Sequence, residues 1–234
     1  MTQSLGTILL VCTSHSDLGA TGHKTGFWME ELAAPYYAFK EAGFDIAIAS
    51  PLGGSPPIDP GSLADVTRVP ATDRFEADLG AMSLLSSSSK LQDIVGMEGY
   101  AGIFLVGGHG TMWDFPNDPE ISRLLIEAAT LDKVIGAVCH GVAGLLAEGV
   151  PDAFNGKAVA GFSNEEEAAV GLSQVVPFLL ESELKAAGFA YESGAAFAPK
   201  VIADRRLITG QNPGSSLAVA EAMIAASQAA AIMA

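Results

Sequence analysis

The segment Val134-Ile135-Gly136-Ala137-Val138-Cys139-His140-Gly141-Val142-Ala143-Gly144 decides the fold. Its first half is a short, continuous apolar run of the kind that forms a strand buried on both faces of a parallel sheet. Its second half is a small-residue helix start, and one nucleophile stands between them. A nucleophile elbow needs this order, because the tight strand-to-helix turn leaves room only for small side chains two places either side, here Ala137 and Gly141. A thiol at a helix N-terminus is expected to meet partial positive charge that lowers its pKa from about 8.5. His140 follows directly and can take a proton from the sulfur or from a substrate carbon.

Outward from this segment the same rhythm repeats. Short β-branched runs at Thr7–Cys12, Asp45–Ala49, Gly102–Val106, Val134–Val138 and Lys157–Ala160, with weaker ones near Val201 and Leu207, alternate with helical stretches. That alternation predicts a doubly wound α/β layout with parallel strands and right-handed crossovers. Trp28–Ala42 reads as a helix stopped by Gly43, and Pro119–Thr130 as one opened by a proline in its first turn. The alanine-rich tail Ser215–Ala231 reads as a helix packed on the body. Pro51–Pro70 and the serine run Ser83–Ser89 read as surface loops. At 234 residues one domain spanning 1–234 is expected.

Composition excludes several function classes. Twelve Lys plus Arg against twenty-seven Asp plus Glu give a formal charge of -15, so the cation clusters that bind nucleic acid are missing. No apolar run near the N-terminus approaches the roughly 20 residues a bilayer requires, and no basic segment precedes one. The expectation is a cytoplasmic protein with no membrane partner. The two cysteines, Cys12 and Cys139, make neither a disulfide framework nor a CxxC pair. Cys12 ends a strand with no base beside it and reads as a core thiol. His15 and His23 share a polar loop, and their spacing does not by itself make a metal site.

In open parallel sheets the ligand lies beyond the C-terminal ends of the strands, which directs attention to three further stretches. Gly107-Gly108-His109-Gly110 follows one strand, and the Gly108 amide together with that of His140 is expected to form an oxyanion hole if the two strands are neighbours. His109, Trp113 and Asp114 are expected to line the entrance; a cap for the helix at Pro119 is an equally good role for Asp114. Glu30 and Glu31 start the first long helix, and neighbours on a helix point about 100° apart, so one can turn inward while the other meets solvent. Glu165-Glu166-Glu167 offers three acids to orient His140; Glu165 and Glu166 join Glu30 as secondary candidates.

Taken together these stretches resemble the DJ-1/PfpI superfamily, also called class I glutamine-amidotransferase-like, and within it the heat-shock chaperone and glyoxalase III branch. The resemblance is carried by Thr25-Gly26-Phe27-Trp28-Met29-Glu30-Glu31-Leu32 with Pro35, by Ala49-Ser50-Pro51-Leu52-Gly53-Gly54 leading into Pro57-Ile58-Asp59-Pro60, by Gly107-Gly108-His109-Gly110, by Ala137-Val138-Cys139-His140-Gly141, and by Thr209-Gly210-Gln211-Asn212-Pro213. It implies a flavodoxin-like three-layer sandwich with a mostly parallel sheet, a catalytic Cys139 with His140, and a protonated glutamate on the sulfur. The family's glutamate stands four residues before a proline, which selects Glu31 ahead of Pro35.

The implied activity is glutathione-independent conversion of methylglyoxal, a small reactive carbonyl, to lactate, without metal or organic cofactor and in a homodimer. A glutamine amidotransferase would need a histidine well downstream of its cysteine, and none follows His140. The resemblance also permits a holdase that binds unfolded protein clients and keeps Cys139 as a redox sensor, or a cysteine-dependent hydrolase or hydratase of another small electrophile.

Overall fold

The computed structural model describes residues 4–233. In chain order its elements are β1 (Thr7–Val11), α1 (Met29–Glu41), β2 (Asp45–Ser50), α2 (Pro70–Ala77), α3 (Leu79–Ser86), β3 (Ser89–Lys90), β4 (Tyr100–Leu105), α4 (Thr111–Asp114), α5 (Pro119–Thr130), β5 (Val134–Val138), α6 (Val150–Ala153), β6 (Ala158–Val159), α7 (Asn164–Ala169), α8 (Leu180–Ala186), β7 (Ala190–Tyr191), β8 (Val201–Asp204), β9 (Leu207–Gly210) and α9 (Ser216–Met233). Short 3-10 turns join several of them, including Cys139–Leu146 directly after β5.

Seven strands form one sheet in the order β3-β2-β1-β4-β5-β9-β8. All pairs are parallel except β8 with β9. The central strands are apolar on both faces because helices cover both: Ile8, Leu9, Leu10, Ile103, Phe104, Leu105 and Val134 to Val138 belong to the buried body of the molecule. This is the mostly parallel, flavodoxin-like α/β sandwich the sequence points to. Gly136 shows how close the layers come, since a Cβ there would collide with the Met223 sulfur of α9. α5 begins on Pro119 with Asp118 accepting the Glu120 and Ile121 amides, and Gly43 turns the chain after α1 at φ +95°. Among the described residues no helix is long and apolar enough to cross a membrane.

Four readings are corrected. Lys157–Ala160 does not enter the main sheet: only Ala158–Val159 is extended, and it pairs with β7 in a separate two-stranded sheet. The connection Asp204-Arg205-Arg206-Leu207 is too short for a parallel crossover, so β8 and β9 form a hairpin with Arg205 at φ +59°. The serine run closes α3 and enters the edge strand β3 instead of forming a loop. Asp114 caps nothing at Pro119; the cap there is Asp118.

Candidate active site

β4 and β5 are neighbours in register, Gly102 against Val134 through Leu105 against Ala137. The loops that follow them therefore emerge side by side at one sheet edge. Cys139 is the first residue beyond β5 and sits at φ +56°, one of four non-glycine residues in the left-handed region among the described residues. A side chain in that conformation is strained and persists only where the surroundings hold it. The surroundings here are close: a Cβ on Gly141 would run into the Leu105 carbonyl and the Gly107 amide.

The Cys139 sulfur lies 3.3 Å from His140 Nδ1. On its other side His140 Nε2 donates to Glu167 Oε2 at 2.8 Å, and His109 Nε2 bonds the second oxygen of the same carboxylate at 3.0 Å. The two imidazoles lie against each other with ring centroids 4.0 Å apart, and Phe162 packs on His140 at 4.4 Å. Because Glu167 accepts from Nε2, the neutral His140 tautomer presents an unprotonated Nδ1 to the thiol. Burial, reinforced by His109, holds His140 down at about 4 against the opposing pull of Glu167. Burial pushes Glu167 upward, but the bonds from His109 and His140 outweigh it and hold that carboxyl at about 2. At neutral pH a neutral imidazole thus stands on a charged carboxylate.

Glu31 approaches from α1 and is completely buried. Its carboxyl faces the Cys139 sulfur and the Gly107 backbone, so near Gly107 that a Cβ on that residue would overlap it. Neither oxygen makes a regular hydrogen bond, and burial holds the carboxyl well above its usual range. Burial also pushes the Cys139 thiol up, and Glu31 pushes it the same way. The expectation of a thiol lowered by a helix N-terminus is therefore overturned: a tight 3-10 turn follows Cys139 and water is excluded. Two buried acids in contact cannot both ionise, so the pair retains a proton at neutral pH.

Gly108, His109, Cys139 and His140 border one cavity of about 280 Å³, whose remaining wall is apolar: Trp28, Phe162, Val170, Phe197 and Pro213 with Thr67. The His140 amide points at the sulfur, and the Gly108 amide, in a left-handed glycine, donates to no other backbone oxygen. Two expected members stand outside this cavity. Trp113 stacks on His15 at 5.1 Å, and Asp114 accepts from the Thr13 hydroxyl at 2.7 Å and the Ser14 amide at 2.8 Å, tying α4 to the loop after β1.

The acidic run also sorts differently from expectation. Glu165 is exposed. Glu166 completes a capping box with Ser163 and accepts from the Phe197 amide and Asn212 Nδ2, both at 2.8 Å. Glu167, one position on, is the acid that reaches His140. Glu30 is turned away into a shallower cleft beside the cavity, with Arg68 and Asn212. Sequence reasoning missed Thr67, Phe162 and Phe197, which arrive on loops with no motif. His109, His140 and Glu167 offer ligating atoms within 4.8 Å of one another, yet those atoms already bond one another, and a metal ion there would displace the contact that orients His140.

A family model described as the DJ-1/PfpI family matches residues 24–226. The glutathione-independent glyoxalase hsp3102 of Schizosaccharomyces pombe is 30% identical over 93% of this chain and 96% of its own. The crystal structure of glyoxalase III from Candida albicans superposes with a TM-score of 0.87 at 25% identity, covering 95% of this chain and 97% of that one. The Rapid Encystment Protein 24 KDa of Francisella tularensis gives a TM-score of 0.89 at 40% identity, covering 95% and 99%.

Proposed function

The chain belongs to the DJ-1/PfpI family, and from that membership we propose that it is a glutathione-independent glyoxalase that converts methylglyoxal and water to lactate at Cys139. The observation that carries this reading is His140 set between two partners, Cys139 Sγ at 3.3 Å from Nδ1 and Glu167 Oε2 at 2.8 Å from Nε2. A lone buried thiol would have no route for its proton. Here the route is in place, and relatives named as glyoxalases span nearly the whole chain.

The thiol is not ionised in advance, so its proton passes to His140 Nδ1 as the sulfur adds to the aldehyde carbon. The new C–S bond leaves an alkoxide that faces the Gly108 and His140 amides, and His140 Nδ1–H passes its proton to that oxygen, which gives the hemithioacetal hydroxyl and restores the neutral base. His140 then removes the hydrogen on C1 and returns a proton to C2, while the hydroxyl proton passes from the C1 oxygen to the C2 oxygen. C1 has risen to the acyl level and C2 has fallen to an alcohol, so no external oxidant or reductant is consumed. Water attacks the resulting thioester, the C–S bond breaks, lactate leaves and the sulfur recovers its proton. Glu31 keeps its own proton, so no second negative charge stands beside the sulfur as charge develops, and His109 holds the second oxygen of Glu167 so that the carboxylate stays aimed at Nε2.

The test is loss of methylglyoxal with matching lactate formation in the absence of glutathione. Native protein should turn it over. His140→Ala should lose nearly all turnover while keeping its fold, because a thiol pushed up by burial depends on that base. Native protein that forms no lactate would overturn the reading.

A further inference from the structure

The cavity beside Cys139 is larger than methylglyoxal needs. Its volume is about 280 Å³, whereas a cavity on the order of 150 Å³ accommodates benzene. The spare space is bounded by apolar side chains, and one of them is held there at a cost. Phe197 adopts φ +60°, a region that penalises any residue with a Cβ, and 54% of its surface remains exposed, so neither backbone preference nor burial explains a large aromatic at that position.

Three contacts fix it in place. Glu166 Oε1 accepts the Phe197 amide at 2.8 Å; Asn212 Nδ2 donates to the same oxygen and to the Ala198 carbonyl, both at 2.8 Å. Glu166 and Asn212 are themselves buried. The ring stands edge-on to Phe162, centroids 6.4 Å apart, at the boundary between the cavity and the outer cleft. The residue next to Glu167 is thus occupied in presenting one aromatic ring at the mouth of the cavity.

We propose that Phe197 is a specificity-determining residue and that this site takes 2-oxoaldehydes whose ketone carries an apolar substituent, up to the size of a phenyl ring, packed inside the cavity against Phe162 and Phe197. The inference rests on the glyoxalase reading and names the substrate class for it. Glyoxal, which has no substituent to fill that space, is the poorest member of the series.

The experiment compares kcat/KM for phenylglyoxal, methylglyoxal and glyoxal in native protein, Phe197→Gly, Phe197→Asn and Phe197→Tyr. Glycine and asparagine both tolerate the left-handed backbone, so the loop is not put at risk. Loss of the ring should lower kcat/KM for phenylglyoxal about tenfold relative to that for glyoxal, with Tyr restoring the native order. A uniform change across the three substrates, or none, overturns the proposal. Binding is read separately by the change in tryptophan fluorescence, Trp28 being the tryptophan that borders the cavity, on titration with mandelate and with lactate, the two products: native protein should prefer mandelate, and Phe197→Gly should lose that preference. Where no 2-oxoaldehyde is turned over at all, the glyoxalase reading falls and this binding arm decides the proposal alone.

Discussion

The two cysteines of this chain occupy equivalent places. Cys12 is the first residue after β1 and Cys139 the first after β5, both at the C-terminal edge of the same parallel sheet and both buried. They differ in what meets them there. Cys12 continues the ladder by donating its amide to Ala49 at 2.9 Å, and burial, with no charged or hydrogen-bonding neighbour to modify it, pushes its thiol upward. Cys139 leaves the ladder at φ +56° and turns its sulfur onto His140 and Glu31. Burial raises both thiols, so a lowered pKa is not what separates them. The separation comes from backbone geometry and from a base within reach.

The largest expected effect breaks this comparison directly. Cys139→Ser should remove nearly all methylglyoxal turnover, on the order of 10³-fold or more, while Cys12→Ser should leave kcat within about twofold and instead lower stability by roughly 1–3 kcal/mol, the cost of a buried hydroxyl without a partner. Steady-state kinetics and urea unfolding on both variants read the two halves. Comparable activity losses in the two would mean that position in the sheet, and not the elbow, makes the thiol reactive.

A smaller effect sharpens what the base contributes. In Glu167→Gln the side chain keeps its shape but offers an amide to His140 Nε2, which favours the tautomer protonated on Nδ1 and leaves no lone pair for the Cys139 proton. An orienting acid of this kind is worth about 10²–10⁴ in kcat. The variant should fold normally, lose turnover in that range and react with limiting iodoacetamide more slowly at Cys139, while Cys12 labelling stays at its low native level. Unchanged kcat would reduce Glu167 to a packing residue.

How far the sequence reveals this difference depends on which contacts are local. The elbow is local: small residues at Ala137 and Gly141 flank one thiol after an apolar strand, and the order of the β4 and β5 loops follows from the parallel layout. The acid that orients His140 is not. Three identical glutamates differ only in helical phase, and phase depends on where α7 begins. A signal was present, because Ser163-Asn164-Glu165-Glu166 has the spacing of a capping box; that assigns Glu166 to its own helix start and leaves Glu167 as the next inward position. Trp113 and Asp114 misled for the same reason, since a four-residue helix turns them toward the β1 loop. Phe162 and Phe197 carry no pattern at all, being placed by loops whose course is set by tertiary contacts.

The smallest effect concerns Glu31, the group Cys12 lacks, and it appears in stability and not in rate alone. Burial raises the Glu31 carboxyl well above its ordinary range, whereas in the unfolded chain it titrates near 4.3. The folded protein therefore holds a proton that the unfolded chain releases, and its stability falls as pH rises above about 4.3, by at most about 1.4 kcal/mol per pH unit, until the folded carboxyl itself ionises. His140, held at about 4 by burial, imposes the opposite slope between about 4 and 6.5, but that contribution is common to native protein and variant and cancels in their difference. Glu167, held at about 2, changes stability only as pH falls below its unfolded value of about 4.3. Glu31→Gln removes the titrating group while keeping its volume, so urea unfolding from pH 5 to 8 should show the variant gaining on native protein as pH rises, by about 1 kcal/mol per unit, even though its turnover is reduced. Parallel pH profiles for the two proteins would mean that Glu31 is ionised in the fold.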